Sequence, residues 1–158
     1  MKTVKLTLLY LSLFILFSCG NTEDNMNASF SNSLSATING TIFTAEEVVV
    51  VKSADPNTGA SVVVITGTAG ANSEDVINFN LFNISNAGTY PLGSNSNWAS
   101  YTENVLNTTD IFVTTTNSGN ITITEFNDNG IKGTFEFEAQ GSSKNVIQVT
   151  NGQFESTF

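Results

Sequence analysis

The chain has no histidine and no arginine, one cysteine, two prolines and only five lysines. Each scarcity closes a route. Without histidine, nucleophilic machinery of the Ser-His or Cys-His kind cannot be assembled, and zinc loses its usual imidazole ligands. A lone cysteine cannot make an intramolecular disulfide even in an oxidising compartment, so the fold must be held by its core. Five lysines against 14 Asp and Glu leave a formal charge of −9. That balance excludes nucleic-acid binding through a basic footprint and binding of anionic lipid through a polybasic segment. The acidic excess favours solubility. The residues call for no cofactor and no resident metal.

What is present begins with an address. Lys2 and Lys5 precede an uncharged apolar run from Leu6 to Phe17, the n-region and h-region of a secretory signal. The run is too short for a permanent helical span, which needs roughly 20 apolar residues. It ends in Leu16-Phe17-Ser18-Cys19-Gly20, which resembles the bacterial lipobox: an aliphatic residue at minus three, a small one at minus one, then cysteine. The resemblance implies that residues 1–18 are a cleaved signal peptide. It also implies that Cys19 carries a diacylglyceryl thioether, its new amine commonly acylated too. Two or three acyl chains, at about 0.8 kcal/mol per buried methylene, hold a protein on a membrane without basic residues. Burial is the commonest fate of a free cysteine, but the end of an h-region is no place for a core residue. Cleavage also removes Lys2 and Lys5, leaving Lys52, Lys132 and Lys144 as the cations.

Residues 19–33 are polar, rich in Asn and Ser and without hydrophobic periodicity, and read as a lipidated cysteine followed by a flexible tether. Glu23 and Asp24 resemble the acidic export signal of Bacteroidota lipoproteins, which implies the outer membrane and exposure at the cell surface. The competing reading of the pair is a solvated linker charge.

Residues 34–158 read as a single all-β domain, an antiparallel meander forming a two-sheet sandwich or an open barrel, because short β-rich runs alternate with Gly/Asn/Ser turns. Predicted strands run over 34–38, 41–52, 60–68, 75–84, 88–92, 98–102, 110–116, 120–127, 131–139, 146–150 and 153–158. Asn39-Gly40, Asn129-Gly130 and Asn151-Gly152 offer positive φ for tight hairpins. Asp55-Pro56-Asn57-Thr58-Gly59 and Asn117-Ser118-Gly119-Asn120 read as longer turns. Alternation turns Ile131, Phe135, Phe137, Ile77, Phe79, Leu81, Ile121, Ile123, Ile147 and Val149 towards the core. Val48 to Val51 and Val62 to Ile65 break the alternation, which suits a strand covered on both faces or a β-bulge.

Several of these pieces recur together. Ala36-Thr37-Ile38-Asn39-Gly40, Gly88-Thr89-Tyr90-Pro91-Leu92-Gly93, Ile121-Thr122-Ile123-Thr124, Ile131 to Phe137 and Val149-Thr150-Asn151-Gly152-Gln153-Phe154 stand in an order that resembles a family of Bacteroidota lipoproteins, a domain of unknown function. The resemblance spans nearly the whole mature domain. It implies a β fold and a surface location, and no catalytic residue or ligand comes with it.

For chemistry, the carboxylate pairs Glu46/Glu47, Glu74/Asp75 and Glu136/Glu138 remain. Glu136 and Glu138 share a strand face roughly 7 Å apart, a separation found between inverting glycosidase carboxylates. A solvated outer face explains the spacing equally, and is the reading adopted. Asn127-Asp128-Asn129-Gly130 has some calcium-ligand character, but Asn and Asp before Gly are ordinary turn vocabulary. Trp98 and Tyr101 stand in a polar stretch. The expectation is that both fill the end of the core with their polar tips in water; the alternative is a platform stacking on a sugar. The leading functional reading is a non-enzymatic envelope protein with a binding or structural role. Its partners would be the membrane, through the lipid, and an envelope protein or a glycan. A hydrolase is the least favoured class.

Overall fold

The computed structural model describes residues 29–70, 75–93, 97–105, 110–143 and 145–158. Among these there is no helix. The strands are β1 (Ser33–Ile38), β2 (Thr41–Thr44), β3 (Glu47–Ala54), β4 (Ser61–Ala69), β5 (Asp75–Phe82), β6 (Gly88–Leu92), β7 (Trp98–Thr102), β8 (Ile111–Phe126), β9 (Gly130–Gln140) and β10 (Val146–Thr157). All pair antiparallel in one sheet of order β2-β1-β10-β9-β8-β7-β5-β4-β3, with β6 laid against β8. The sheet curls into a half-barrel, so the all-β expectation stands and the barrel alternative is the one realised rather than the two-sheet sandwich.

The curl follows from one corner. The two lateral edges of the sheet, β2 and β3, are successive stretches of chain separated only by Ala45 and Glu46. Ala45 N donates to Leu34 O at 2.8 Å, and Glu46 N donates to Thr68 O at the same distance. One residue therefore belongs to the β1 side and the next to the β4 side, and the sheet must bend until these sides meet. The single strand predicted over 41–52 breaks here.

Local chemistry sets the turns. Asn39 (φ 47°) and Gly40 (φ 86°) form the two-residue hairpin that links β1 to β2, with the positive φ at both centres that matches strand twist. In the β3–β4 turn the Asp55 carboxylate accepts from Asn57 N and Thr58 N, both at 2.8 Å, and Gly59 adopts φ 70°. The β8–β9 turn depends on Asn127, whose Oδ1 accepts from Asn129 N at 2.8 Å and Gly130 N at 3.2 Å. Gly130 already belongs to β9, so the turn sits one step earlier than Asn129-Gly130 suggested.

Two predicted turns are not turns. Asn151 (φ 52°) lies inside β10 and Asn117 (φ 58°) inside β8. Register shifts beside them, between Val149 and Gly152 and between Thr114 and Gly119, mark irregularities within long strands. A single left-handed residue bends a strand without reversing it. Each pair of predicted strands, 110–116 with 120–127 and 146–150 with 153–158, is thus one element.

The alternation is realised as read. Ile77, Phe79, Leu81, Ile121, Ile123, Ile131, Phe135, Phe137, Ile147 and Val149 are all buried. Phe79 sits at the centre, its ring 4.8 Å from Phe135 and 5.9 Å from Phe137, both edge-on, the arrangement aromatic quadrupoles favour. The valine runs resolve differently from either expectation. β3 and β4 pair without a register shift, Val48, Val63 and Ile65 enter the core, and Val49 and Val51 stand half-exposed outside. These strands are neither bulged nor covered on both sides; they carry apolar residues on an open outer face.

The end of the predicted tether is pinned rather than free. Ser31 N donates to Glu155 Oε1 at 2.7 Å, and Asn32 Oδ1 accepts from Thr157 N at 3.1 Å and Ser156 Oγ at 3.0 Å.

Candidate functional site

Cys19, Glu23 and Asp24 lie outside the described residues, as does Glu74. Trp98 and Tyr101 are both on β7, three residues apart. An odd spacing in a strand puts side chains on opposite faces, and that is the outcome. Tyr101 is 6% exposed and packs in the core near Phe112, ring centroids 6.2 Å apart. Its hydroxyl donates to Asp75 Oδ2 at 3.1 Å, while Asp75 Oδ1 accepts from Asn104 N at 2.9 Å. Burial first, and then the Asp75 carboxylate beside it, push the phenol well above its ordinary pKa. Trp98 is 36% exposed on the outer face. The expectation that both aromatics fill the core end holds for Tyr101 and fails for Trp98, and the pair cannot form one platform.

Trp98 has other company. Asn80 is its register partner on β5, Val64 partners Asn80 on β4, and Val51 partners Val64 on β3. Beside this row Asn80 Nδ2 donates to Asn78 Oδ1 at 2.6 Å, and Asn78 Nδ2 donates to Thr66 Oγ1 at 2.7 Å. The amides are held by one another, so the indole adjoins a fixed polar ladder flanked by valines. The strand under it is equally fixed: Ala99 N donates to Thr114 Oγ1 at 3.0 Å, and Asn97 Oδ1 accepts from Phe82 N at 2.8 Å. No charged side chain stands in the row of Val51, Val64, Asn80 and Trp98.

At one end of the half-barrel a cleft of about 560 Å³ opens between β2 and the ends of β4, β5 and β7. Ile38, Phe43 and Ile147 give it apolar walls, and Glu46, Asp75, Tyr101 and Glu103 its polar ones. The sequence disclosed neither the cleft nor the Asp75–Tyr101 contact. Twenty-six residues separate these two, and only the β5–β7 pairing brings them together; the visible signal was a carboxylate opening a strand.

Glu136 and Glu138 are exposed on β9, alternating with buried Phe135 and Phe137. Among the described residues no group of three or more Cys, Asp and Glu side chains is placed to hold a metal ion.

The chain belongs to the family described as Domain of unknown function (DUF6252), whose model matches residues 25–157 and thus every strand. No curated protein and no solved structure matches it.

Proposed function

We propose that this protein is a lipid-tethered, non-enzymatic binding module of the bacterial cell envelope, held on the outer membrane through Cys19 and displayed at the surface with the help of Glu23 and Asp24. The sequence from Lys2 to Gly20 supports the anchor. The pinning of Ser31 and Asn32 to β10 supports a short tether leading straight into a rigid domain. The interior of the half-barrel is occupied by core side chains, which directs binding to the outside.

Trp98 favours a glycan as ligand. A partly exposed indole on an uncharged strip, beside amides already fixed in place, offers an apolar face and hydrogen-bonding edges together, as a sugar ring requires. Because the strip carries no charge, the reading is a neutral polysaccharide.

The two parts are tested separately. Radiolabelled palmitate should enter the full-length protein in cells and not Cys19→Ala, and a labelled Cys19→Ala protein would refute the anchor. Protease shaving of intact cells should lose access when Glu23 and Asp24 are both replaced by Ala; unchanged access would return them to plain tether. Affinity electrophoresis in gels cast with xylan, laminarin, pullulan or mannan should retard the mature protein in at least one and not Trp98→Ala. Equal mobility in every gel would refute the glycan reading.

A further inference from the structure

The edge strand β2 raises a question separate from the anchor and the glycan, namely what its unused backbone groups are for. Ile38 and Thr41 flank the two-residue hairpin turn, and Ala45 N donates to Leu34 O. Antiparallel pairing alternates between bonded and non-bonded residue pairs. The bonded pairs are therefore Leu34 with Ala45, Ala36 with Phe43 and Ile38 with Thr41. The N–H and C=O groups of Ile42 and Thr44 point the other way, off the edge of the sheet. Ile42 and Thr44 both line the cleft of about 560 Å³, opposite Ala69, Gly70, Asp75 and Glu103. The Ile42 side chain is 80% exposed, the most exposed large apolar residue described.

We infer that the free edge of β2 receives an extended, lysine- or arginine-bearing peptide segment of another protein, which adds as a strand in this cleft. Added strands gain affinity from main-chain hydrogen bonds and specificity from pockets that take alternate side chains. The outward groups of Ile42 and Thr44 supply the first, and the apolar walls of Phe43 and Ile147 meet one set of side chains. Charge selects the occupant: Glu46, Asp75 and Glu103 line the cleft, and among the described residues no cation does. The chain's own segment 20–33 is an unsuitable occupant, because it carries Glu23 and Asp24 and no lysine. A second copy is equally unsuitable at a formal charge of −9. Of its cations among the described residues, Lys52 lies 4.9 Å above the Phe126 ring and 5.0 Å above that of Phe158, and Lys132 pairs with Glu155 at 3.3 Å.

The test uses the mature chain and fluorescein-labelled octapeptides of alternating Lys-Val, Ser-Val and Glu-Val, followed by anisotropy at low and at 0.5 M salt. The Lys-Val peptide should bind at least tenfold more tightly than the other two, and salt should weaken it. Ile42→Pro removes one outward donor and none of the β1 ladder, a position where an edge strand tolerates proline. It should weaken Lys-Val binding at least tenfold with an unchanged far-ultraviolet spectrum. Glu46→Gln with Glu103→Gln should weaken it comparably and flatten the salt dependence. Amide exchange of Ile42 and Thr44 in the unaltered protein should slow on adding the peptide, a readout that needs no variant to fold. Absence of Lys-Val binding, equal binding of the three peptides, or binding that leaves both amides unprotected would overturn the inference. So would a dimer in sedimentation that protects the same amides without peptide.

Discussion

The ring of Phe135 occupies the space that a side chain at Gly152 would need. The two residues are register partners on β9 and β10, and a Cβ at Gly152 would stand 2.3 Å from Phe135 Cδ2. The ring has no room to retreat, because Phe79 lies 4.8 Å away, Phe137 6.2 Å and Phe154 6.3 Å. Gly152→Ala should therefore destabilise by about 1–3 kcal/mol through overpacking, and Phe135→Ala by about 3–5 kcal/mol through lost burial and the cavity left. Removing the ring frees the space, so the double variant should cost less than the sum of the singles. Urea unfolding of the four proteins decides it; strict additivity would mean the backbone moves instead of the ring.

Glu136 lies between Phe135 and Phe137 and is exposed. Glu136→Ala should change stability by within about 0.5 kcal/mol, and a loss as large as that of Phe135→Ala would invert the assigned faces of β9.

Much of this was legible because side-chain period and strand pleat are the same signal. Ile131, Phe135 and Phe137 declare their face without any tertiary information. The misread pieces are those where local chemistry has two tertiary outcomes. Asn151-Gly152 can close a hairpin or bend a strand, and the outcome is set by Phe135, seventeen residues before Gly152, needing a glycine beneath it. Ala45 and Glu46 look like continuing strand, and become the corner only because Leu34 and Thr68 claim their amides from opposite sides. Trp98 was expected to be core because large aromatics usually are, whereas its strand position relative to Tyr101 already required that one of the two face outwards.

The acid limb of stability should depend on Glu155. The Ser31 N–H, with Lys132 beside it, holds this carboxyl below its ordinary pKa. A folded pKa below the unfolded one gives stability that is present above the unfolded value and is lost as pH falls through the folded value. Melting temperature should accordingly fall on acidification, and Glu155→Gln should lower it at neutral pH and flatten the decline. An unaltered acid slope in that variant would remove Glu155 from the account.

The alkaline limb should depend on Tyr101, with the sign reversed. Its pKa is raised in the folded state, so its contribution is complete below the unfolded tyrosine value of about 10 and declines as pH rises beyond it. Tyr101→Phe keeps the ring against Phe112 but loses the bond to Asp75, which should destabilise at neutral pH by about 1 kcal/mol and make the melting temperature less sensitive between pH 9 and pH 11. Asp75→Asn removes the neighbouring charge while keeping an acceptor, and should bring the phenol's ultraviolet titration to lower pH. A titration unmoved by Asp75→Asn would leave burial, with the Glu103 carboxylate nearby, as the cause.

Trp98 reports its own surroundings, since it is the only tryptophan in the chain. An indole 36% exposed on an outer sheet face has one face against the strand and the other in water. Emission should lie between that of a buried and a fully solvated indole, acrylamide should quench it readily, and Trp98→Ala should cost far less than the roughly 3–5 kcal/mol of a core aromatic. Tyr101→Phe acts on the opposite face of the same strand and should leave the Trp98 spectrum unchanged. If emission is instead blue and shielded, and Trp98→Ala unfolds the domain, the indole belongs to the core and the outer strip has no aromatic to offer a sugar.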